Sequence, residues 1–252
     1  MYLTIQGLVL RITAYNDTDA LLTVLTRSHG KLTVKARGLR RKSSPLTAPC
    51  QLLAYGEFTL FEHRGYYTIN EATSLELFHS LRRDIQKLSL ATYIAQVAET
   101  LSQEDMQNPE LLSLTLNSLY ALSKLNISET LVKAAFELRC ACLAGYMPDL
   151  QSCQYCGEHY PDKFDITQGQ LECSKCRNYE THGIRMPITP GVLDAMRYIC
   201  SCDPKLVFSF QLGEDSLIML SQLTEGYLSA QLERGFSALD FYKSLFVEST
   251  NI

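Results

Sequence analysis

The stretch RSHGKLTVKARGLRRK, from Arg27 to Lys42, carries seven Lys or Arg and no Asp or Glu in a chain whose formal net charge is -4. Lys31, Thr33, Lys35 and Arg37 alternate with Leu32, Val34 and Ala36. Successive side chains of a strand point to opposite sides, so this is the period of a strand with one apolar and one basic face. Ser28-His29-Gly30 makes a short turn into it, and Gly38 opens a loop carrying Arg40, Arg41 and Lys42. A strand face and an adjoining loop of one charge sign can track a phosphate backbone. Arg27, Lys31, Lys35, Arg37, Arg40, Arg41 and Lys42 are therefore the candidate nucleic-acid contacts. A solvated strand face with no ligand has the same pattern.

The flanking sequence predicts four more strands: Ile5–Ala14, Ala20–Thr26, Leu52–Glu62 and Tyr66–Ala72, the last two joined at His63-Arg64-Gly65. Five strands in about seventy residues are too few for a two-sheet sandwich. They suit a small barrel, either the five-stranded oligonucleotide-binding (OB) fold or an SH3-like barrel. Tyr15, Tyr55, Phe58, Tyr66 and Tyr67 are candidates to stack bases, but several must fill the core, so none is assigned.

From Leu75 the period turns helical. A first helix covers Leu88–Leu101, a second starts at Pro109, and a third follows Ser128 and ends at Gly145 and Pro148. The three are expected to form one bundle. Later helices start at Thr189-Pro190, at Asp215 and at Ser237. Between them, Cys153-x-x-Cys156 and Cys173-x-x-Cys176 are separated by sixteen residues. Two such knuckles can wrap four thiolates around one Zn²⁺, and with all four positions Cys no coordination site stays open, so the metal is structural. A redox dithiol is the alternative. His159 and His182 lie nearby and read as surface residues. Cys50, Cys140, Cys142, Cys200 and Cys202 read as small buried hydrophobes, because thiols in a helical Cys-x-Cys point about 200° apart.

Charge is unevenly divided. Residues 1–80 hold nine Lys/Arg against six Asp/Glu, a net of +3, and the remainder holds fourteen against twenty-one, a net of -7. An anionic partner is therefore expected at one end only. Nine cysteines with no export signal argue for reduced thiols and a cytoplasmic protein, and no apolar run approaches the length of a membrane span. The chain lacks phosphate-binding glycine loops, an H-E-x-x-H pair and a nucleophile elbow, and its five histidines are scattered, so no enzyme is expected.

Taken together the residues resemble the bacterial RecO recombination-repair family over essentially the whole length. Gly7-Leu8-Val9-Leu10-Arg11 is similar to its first strand. Tyr15, Asp17 and Asp19 stand where the family usually has Tyr-x-Glu-x-Asp, with Asp17 the departure. Leu25-Thr26, Gly30-Lys31, Ala36-Arg37-Gly38 and Arg40-Arg41-Lys42-Ser43 are similar to its basic hairpin and loop. The two Cys pairs match its zinc-bearing branch. Tyr227-Leu228, Leu232 and Ser237-Ala238-Leu239 resemble its C-terminal helices.

The resemblance implies a multidomain α+β fold: an OB barrel at 1–76, a helical domain begun by 77–148 and finished by 188–252, and a zinc module at 149–187 embedded in it. It implies a DNA-binding recombination mediator that binds single- and double-stranded DNA and anneals complementary strands. With RecR, such a protein helps load RecA onto DNA coated by single-stranded-DNA-binding protein (SSB), and it works in the bacterial cytoplasm near the nucleoid. An RNA-binding or ribosome-associated module and a metal-dependent nucleic-acid enzyme are the rival classes. The family likeness also implies a seat for the acidic C-terminal tail of SSB in the helical body. Lys133 and Arg139, about 120° apart on one helix, could flank a groove floored by Phe136. Alternatively, Lys133 pairs with Glu137 one turn on.

Overall fold

The computed structural model describes residues 1–176 and 183–247. Five strands, β1 (Tyr2–Ala14), β2 (Ala20–Thr26), β3 (Lys31–Ala36), β4 (Tyr55–His63) and β5 (Tyr66–Glu76), close a barrel in the order β1-β2-β3-β5-β4. Neighbours are antiparallel except β3 and β5, which run parallel with Val34 opposite Tyr67 and Lys35 opposite Thr68. β4 starts three residues later than its apolar pattern suggests. Leu53 takes a left-handed φ of 64°, and its N–H leaves the strand line to meet the carbonyl of Val9. The interior is filled by inward-facing side chains including Ile5, Val9, Leu22, Val24, Leu32, Val34, Phe58 and Leu60, and the β3–β4 loop adds Leu46 and Cys50. Gly7 is required within β1, because a Cβ there would lie 2.5 Å from Cγ1 of Val24.

The chain divides into two compact units: Met1–Leu125 with the segment from Phe236 onward, and Asn126–Gly235. In the first, α1 (Ile85–Leu101) is capped by Asp84, whose carboxylate accepts the N–H groups of Gln86 and Lys87. Its buried positions, among them Leu90, Tyr93, Ile94, Val97 and Ala98, cover more than one face. They meet β1, α2 (Pro109–Lys124) and the last helix, α6 (Ser237–Val247). Phe236 meets Tyr93 edge-on at 5.4 Å. Gln96 accepts from the N–H of Ala238 and donates to Ser237 Oγ.

In the second unit α3 (Glu129–Leu143) packs on α4 (Pro190–Ser201) and α5 (Glu214–Leu232). A small sheet, in the order β6-β8-β7-β9, comprises β6 (Asp149–Cys153), β7 (Lys163–Asp165), β8 (Gln170–Glu172) and β9 (Arg185–Pro187), and the two cysteine knuckles begin at the ends of β6 and β8.

Packing departs from the sequence expectation at two points. The first three helices do not make one bundle: α1 and α2 pack on each other, and α3 packs on α4 and α5. Helical residues after 188 do not form one body either, since α6 returns to α1. Hydrophobic period identifies a helix with a face to bury but does not say which partner covers it.

The α3–α5 seam holds a buried ionic cluster. Lys133, 3% exposed, reaches Glu137 at 3.0 Å, Glu225 at 2.9 Å and Ser221 Oγ at 3.2 Å. Thr224 donates to Glu137 at 2.8 Å. Burial opposes the lysine's charge, but the two carboxylates outweigh it and raise its pKa above the ordinary value. A raised pKa in the folded state means that the lysine's share of this contribution is present below the ordinary lysine pKa while its carboxylates are charged, and is lost as the pH rises through the folded value. Truncating one member of such a cluster leaves a buried charge uncompensated. Lys133→Ala is therefore expected to cost about 3–5 kcal/mol, read as a lower urea midpoint at unchanged slope. A loss below about 1 kcal/mol, the range of an exposed pair, would show that the cluster does not hold α3 to α5.

Candidate nucleic-acid interface and metal centre

β3 presents its sequence as the alternation requires. Leu32, Val34 and Ala36 are buried, while Lys31, Thr33, Lys35 and Arg37 face outward. Beside them lies a cleft of about 590 Å³ lined by Lys31, Lys35 and Arg37, by Tyr15 from the β1–β2 loop and by Tyr66 and Tyr67 at the β4–β5 turn. Tyr66 is 80% and Tyr15 58% exposed beside the cations. The other basic residues lie outside this lining. Arg27 is exposed at the end of β2, and Arg40, Arg41 and Lys42 are exposed on the loop after β3. The structure thus brings three of the seven candidate cations into one cleft and leaves four outside its lining.

Several cations are already engaged. Lys31 Nζ donates to the carbonyl of Glu99 at 3.1 Å, and Arg40 Nη1 to the carbonyl of Asn16 at 2.5 Å. Lys35 Nζ lies 3.1 Å from Asp19 and 4.6 Å above the Tyr15 ring. Among the described residues no carboxylate pairs with Arg27, Arg37, Arg41 or Lys42.

Asp19 organises this corner, a role that composition and charge pattern did not reveal. Its carboxylate accepts the N–H of Gly38 at 2.9 Å, pairs with Lys35, and is met by Asn16 Nδ2 and Thr18 Oγ1. The Gly38 N–H first, and then Lys35, hold its pKa far below the usual carboxylate range. Asn16 Oδ1 accepts the N–H groups of Thr18 and Asp19, and the N–H of Arg40 donates to the carbonyl of Thr18. The β1–β2 loop is thereby tied to the loop that follows β3.

One rim of the cleft is acidic. Glu104 and Asp105 line it, carried by the segment after α1. That segment lies on the turn before β3: the N–H of Lys31 donates to the carbonyl of Gln103 at 3.0 Å. Gly30, at φ +61°, is required there, because a Cβ would collide with the carbonyl oxygens of Gln103 and Met106.

The second site is sulfur-rich. Sγ atoms of Cys153, Cys156, Cys173 and Cys176 all lie within 4.8 Å of one another. Cys156 and Cys173 are 3.8 Å apart, and a tetrahedral ion with metal–sulfur bonds of about 2.3 Å requires an edge of about 3.8 Å. Gly157, at φ +77°, closes the first knuckle, and Asp162 Oδ1 accepts the N–H of Ser174 in the second. Burial works against ionisation of Cys153. Donation by the N–H groups of Tyr155, Cys156 and Cys173 outweighs it and lowers the thiol pKa to about 7. Burial and the neighbouring sulfurs raise Cys173 to about 12. Four thiolates this close are stable together only around a cation. These four residues can hold a metal ion. His159 is exposed and not among them; His182 lies outside the described residues.

The groove expected from Lys133, Phe136 and Arg139 is not formed. Lys133 pairs with Glu137 and Glu225, Phe136 is fully buried, and Arg139 Nη1 donates to the carbonyls of Ile199 and Cys200. All three serve the packing of α3 on its neighbours.

Two family models match the chain, "Recombination protein O N terminal" at residues 1–78 and "Recombination protein O C terminal" at residues 82–240. Curated relatives include the DNA repair protein RecO of Acetivibrio thermocellus, 32% identical with 97% of each chain covered. That of Alkaliphilus metalliredigens is 29% identical, covering 97% of this chain and all of the relative. A Listeria monocytogenes RecO is 28% identical over 97% and 91%. Among the described residues no helix is long and apolar enough to cross a membrane. With barrel, helices and cysteine cluster all in place along matched segments that span most of its length, the chain belongs to the RecO family of proteins that act in DNA repair.

Proposed function

We propose that this protein binds DNA through the β3 cleft and acts as a non-enzymatic recombination mediator. The observation that carries the reading is the coincidence of Lys31, Lys35 and Arg37 with Tyr15, Tyr66 and Tyr67 on one barrel face. The β2–β3 face, flanked by the β1–β2 and β4–β5 loops, is where OB barrels bind oligonucleotides. The mechanism requires no bond chemistry. Cations neutralise phosphates and release counterions, the tyrosines offer π-faces to unstacked bases, and two like-charged strands can then approach closely enough to anneal. Cations outside the cleft would hold a second strand or a duplex by its backbone. Family membership supports the wider assignment to RecR, to SSB and its C-terminal tail, and indirectly to RecA, in the cytoplasm near the nucleoid. Zn²⁺, one per chain, suits the four-thiolate set and its lack of an open position.

Three experiments test the reading. Replacing Arg37, Arg41 and Lys42 by Glu should weaken single-strand binding without changing the melting temperature, since exposed cations contribute little to stability. Arg37→Ala alone should flatten the log–log salt dependence by about 0.7, the share of one phosphate contact. An unchanged affinity and slope would remove the cleft from consideration, and preference for structured RNA over single-stranded DNA would favour the RNA-binding reading.

Asp19→Ala separates geometry from charge. Deleting an anion from a basic face should tighten binding if electrostatics alone mattered. We expect the opposite, a loss of severalfold or more in fluorescence anisotropy, because Lys35 and the loop bearing Tyr15 lose their anchor. Tighter binding would count against a preorganised cleft.

For the metal, purified protein should carry one zinc per chain. Cys173→Ser should reduce it and lower the melting temperature, with a smaller effect on DNA affinity, because a structural metal couples binding to folding. Full metal retention in that variant would mean a different ligand set.

A further inference from the structure

A second pair of sulfurs meets outside the metal cluster. Cys142, in the last turn of α3, and Cys200, in the last turn of α4, have their Sγ atoms 3.6 Å apart, and Met147 Sδ lies 3.5 Å from Cys142 Sγ. Cys50 and Cys140 are fully buried, as expected of small hydrophobes, but Cys142, Cys200 and Cys202 keep solvent access. One thiol from each helix meets the other helix's thiol, a contact that the spacing within either Cys-x-Cys does not show.

The meeting point is held by Arg139. Its Nη1 donates to the carbonyl of Ile199 at 3.0 Å and to that of Cys200 at 2.8 Å, capping the C-terminal end of α4 against α3. The Cys142 thiol pKa is lowered by the hydrogen bond with Cys200 and, against burial, by the Arg139 charge. The hydrogen bond with Cys142 first, and then burial, raise that of Cys200. An accessible thiol of lowered pKa beside a second thiol of raised pKa is the arrangement of an attacking and a resolving cysteine. Closing from 3.6 Å to the disulfide length of about 2.05 Å is a short move for two side chains at helix ends.

We propose that Cys142 and Cys200 form a peroxide-oxidisable dithiol that links α3 to α4. The Cys142 thiolate attacks one oxygen of hydrogen peroxide. The O–O bond breaks, Cys142 becomes a sulfenic acid, and hydroxide leaves to take up the proton that Cys142 released. The Cys200 sulfur then attacks the sulfenic sulfur. The S–O bond breaks, its oxygen leaves as water with the Cys200 proton, and the S–S bond forms. Two thiols and one hydrogen peroxide give one disulfide and two waters. Cys202, on the next turn of chain, is not part of the pair.

The test uses the full chain with its metal bound. After hydrogen peroxide treatment, free thiols are alkylated under denaturing, chelating conditions and counted, and linked peptides are mapped by tandem mass spectrometry. The expected count falls from the nine cysteines of the sequence to seven, with a Cys142–Cys200 link that a dithiol reductant reverses. Cys142→Ser and Cys200→Ser should each abolish the link, and Cys202→Ser should retain it. Circular dichroism of each variant confirms folding, and the wild-type map decides the matter if a variant does not fold. Oxidation confined to the metal-binding cysteines, or a link from Cys200 that persists in folded Cys142→Ser, would overturn the assignment.

Discussion

Closure of the barrel is the constraint on which the N-terminal unit depends. β4 returns to pair with β1, and β5 pairs in parallel with β3, so the barrel leaves no exposed sheet edge. Closure also fixes register. Because side chains alternate with period two, sliding β3 by one residue would drive Lys31, Lys35 and Arg37 into a core filled by Leu22, Val24, Phe58 and Leu60. The desolvation cost of three cations excludes that register. The requirement that stabilises the barrel therefore also puts its cations outside, next to tyrosines that the β3–β5 pairing brings alongside.

Polar anchors then shape what closure exposes. Asp19, an anion in the basic corner, holds Lys35, Gly38 and the loop of Tyr15 through several hydrogen bonds and one ion pair. Its low pKa reflects how strongly the charged form is held: a carboxylate whose pKa is depressed on folding supports the folded loop at neutral pH, and that support is lost only in acid. Glu104 and Asp105 bound the cleft at its other rim. The cleft therefore carries positive charge along β3 and negative charge at one edge.

The second unit is organised by buried charge and by sulfur. Lys133 and Glu137 on α3 are satisfied by groups of α5, and Arg185 binds Glu172 at 2.6 Å across the small sheet that carries the knuckles. Buried ionic groups of this kind fix which faces meet, since a misaligned packing would leave them unpaired. The same precision brings the Cys142 and Cys200 sulfurs within contact distance.

Strand and helix periods, the basic face of β3 and the four paired cysteines were legible in the sequence, because each is a local pattern: alternation, helical spacing, two Cys-x-x-Cys knuckles. The five strands, and the starts of α2, α4 and α6, follow from residues close to one another in the chain. Partnerships between distant segments were not legible. That α6 covers α1, that Lys133 is interior and meets Glu225 as well as Glu137, and that Arg139 caps α4 all depend on segments dozens of residues or more apart. A helical period says that a face is buried without saying beneath what. For the same reason the partners of Asp19 were not legible, and Cys142 and Cys200 read as separate hydrophobes. Their chemistry resides in neighbours that only tertiary packing supplies.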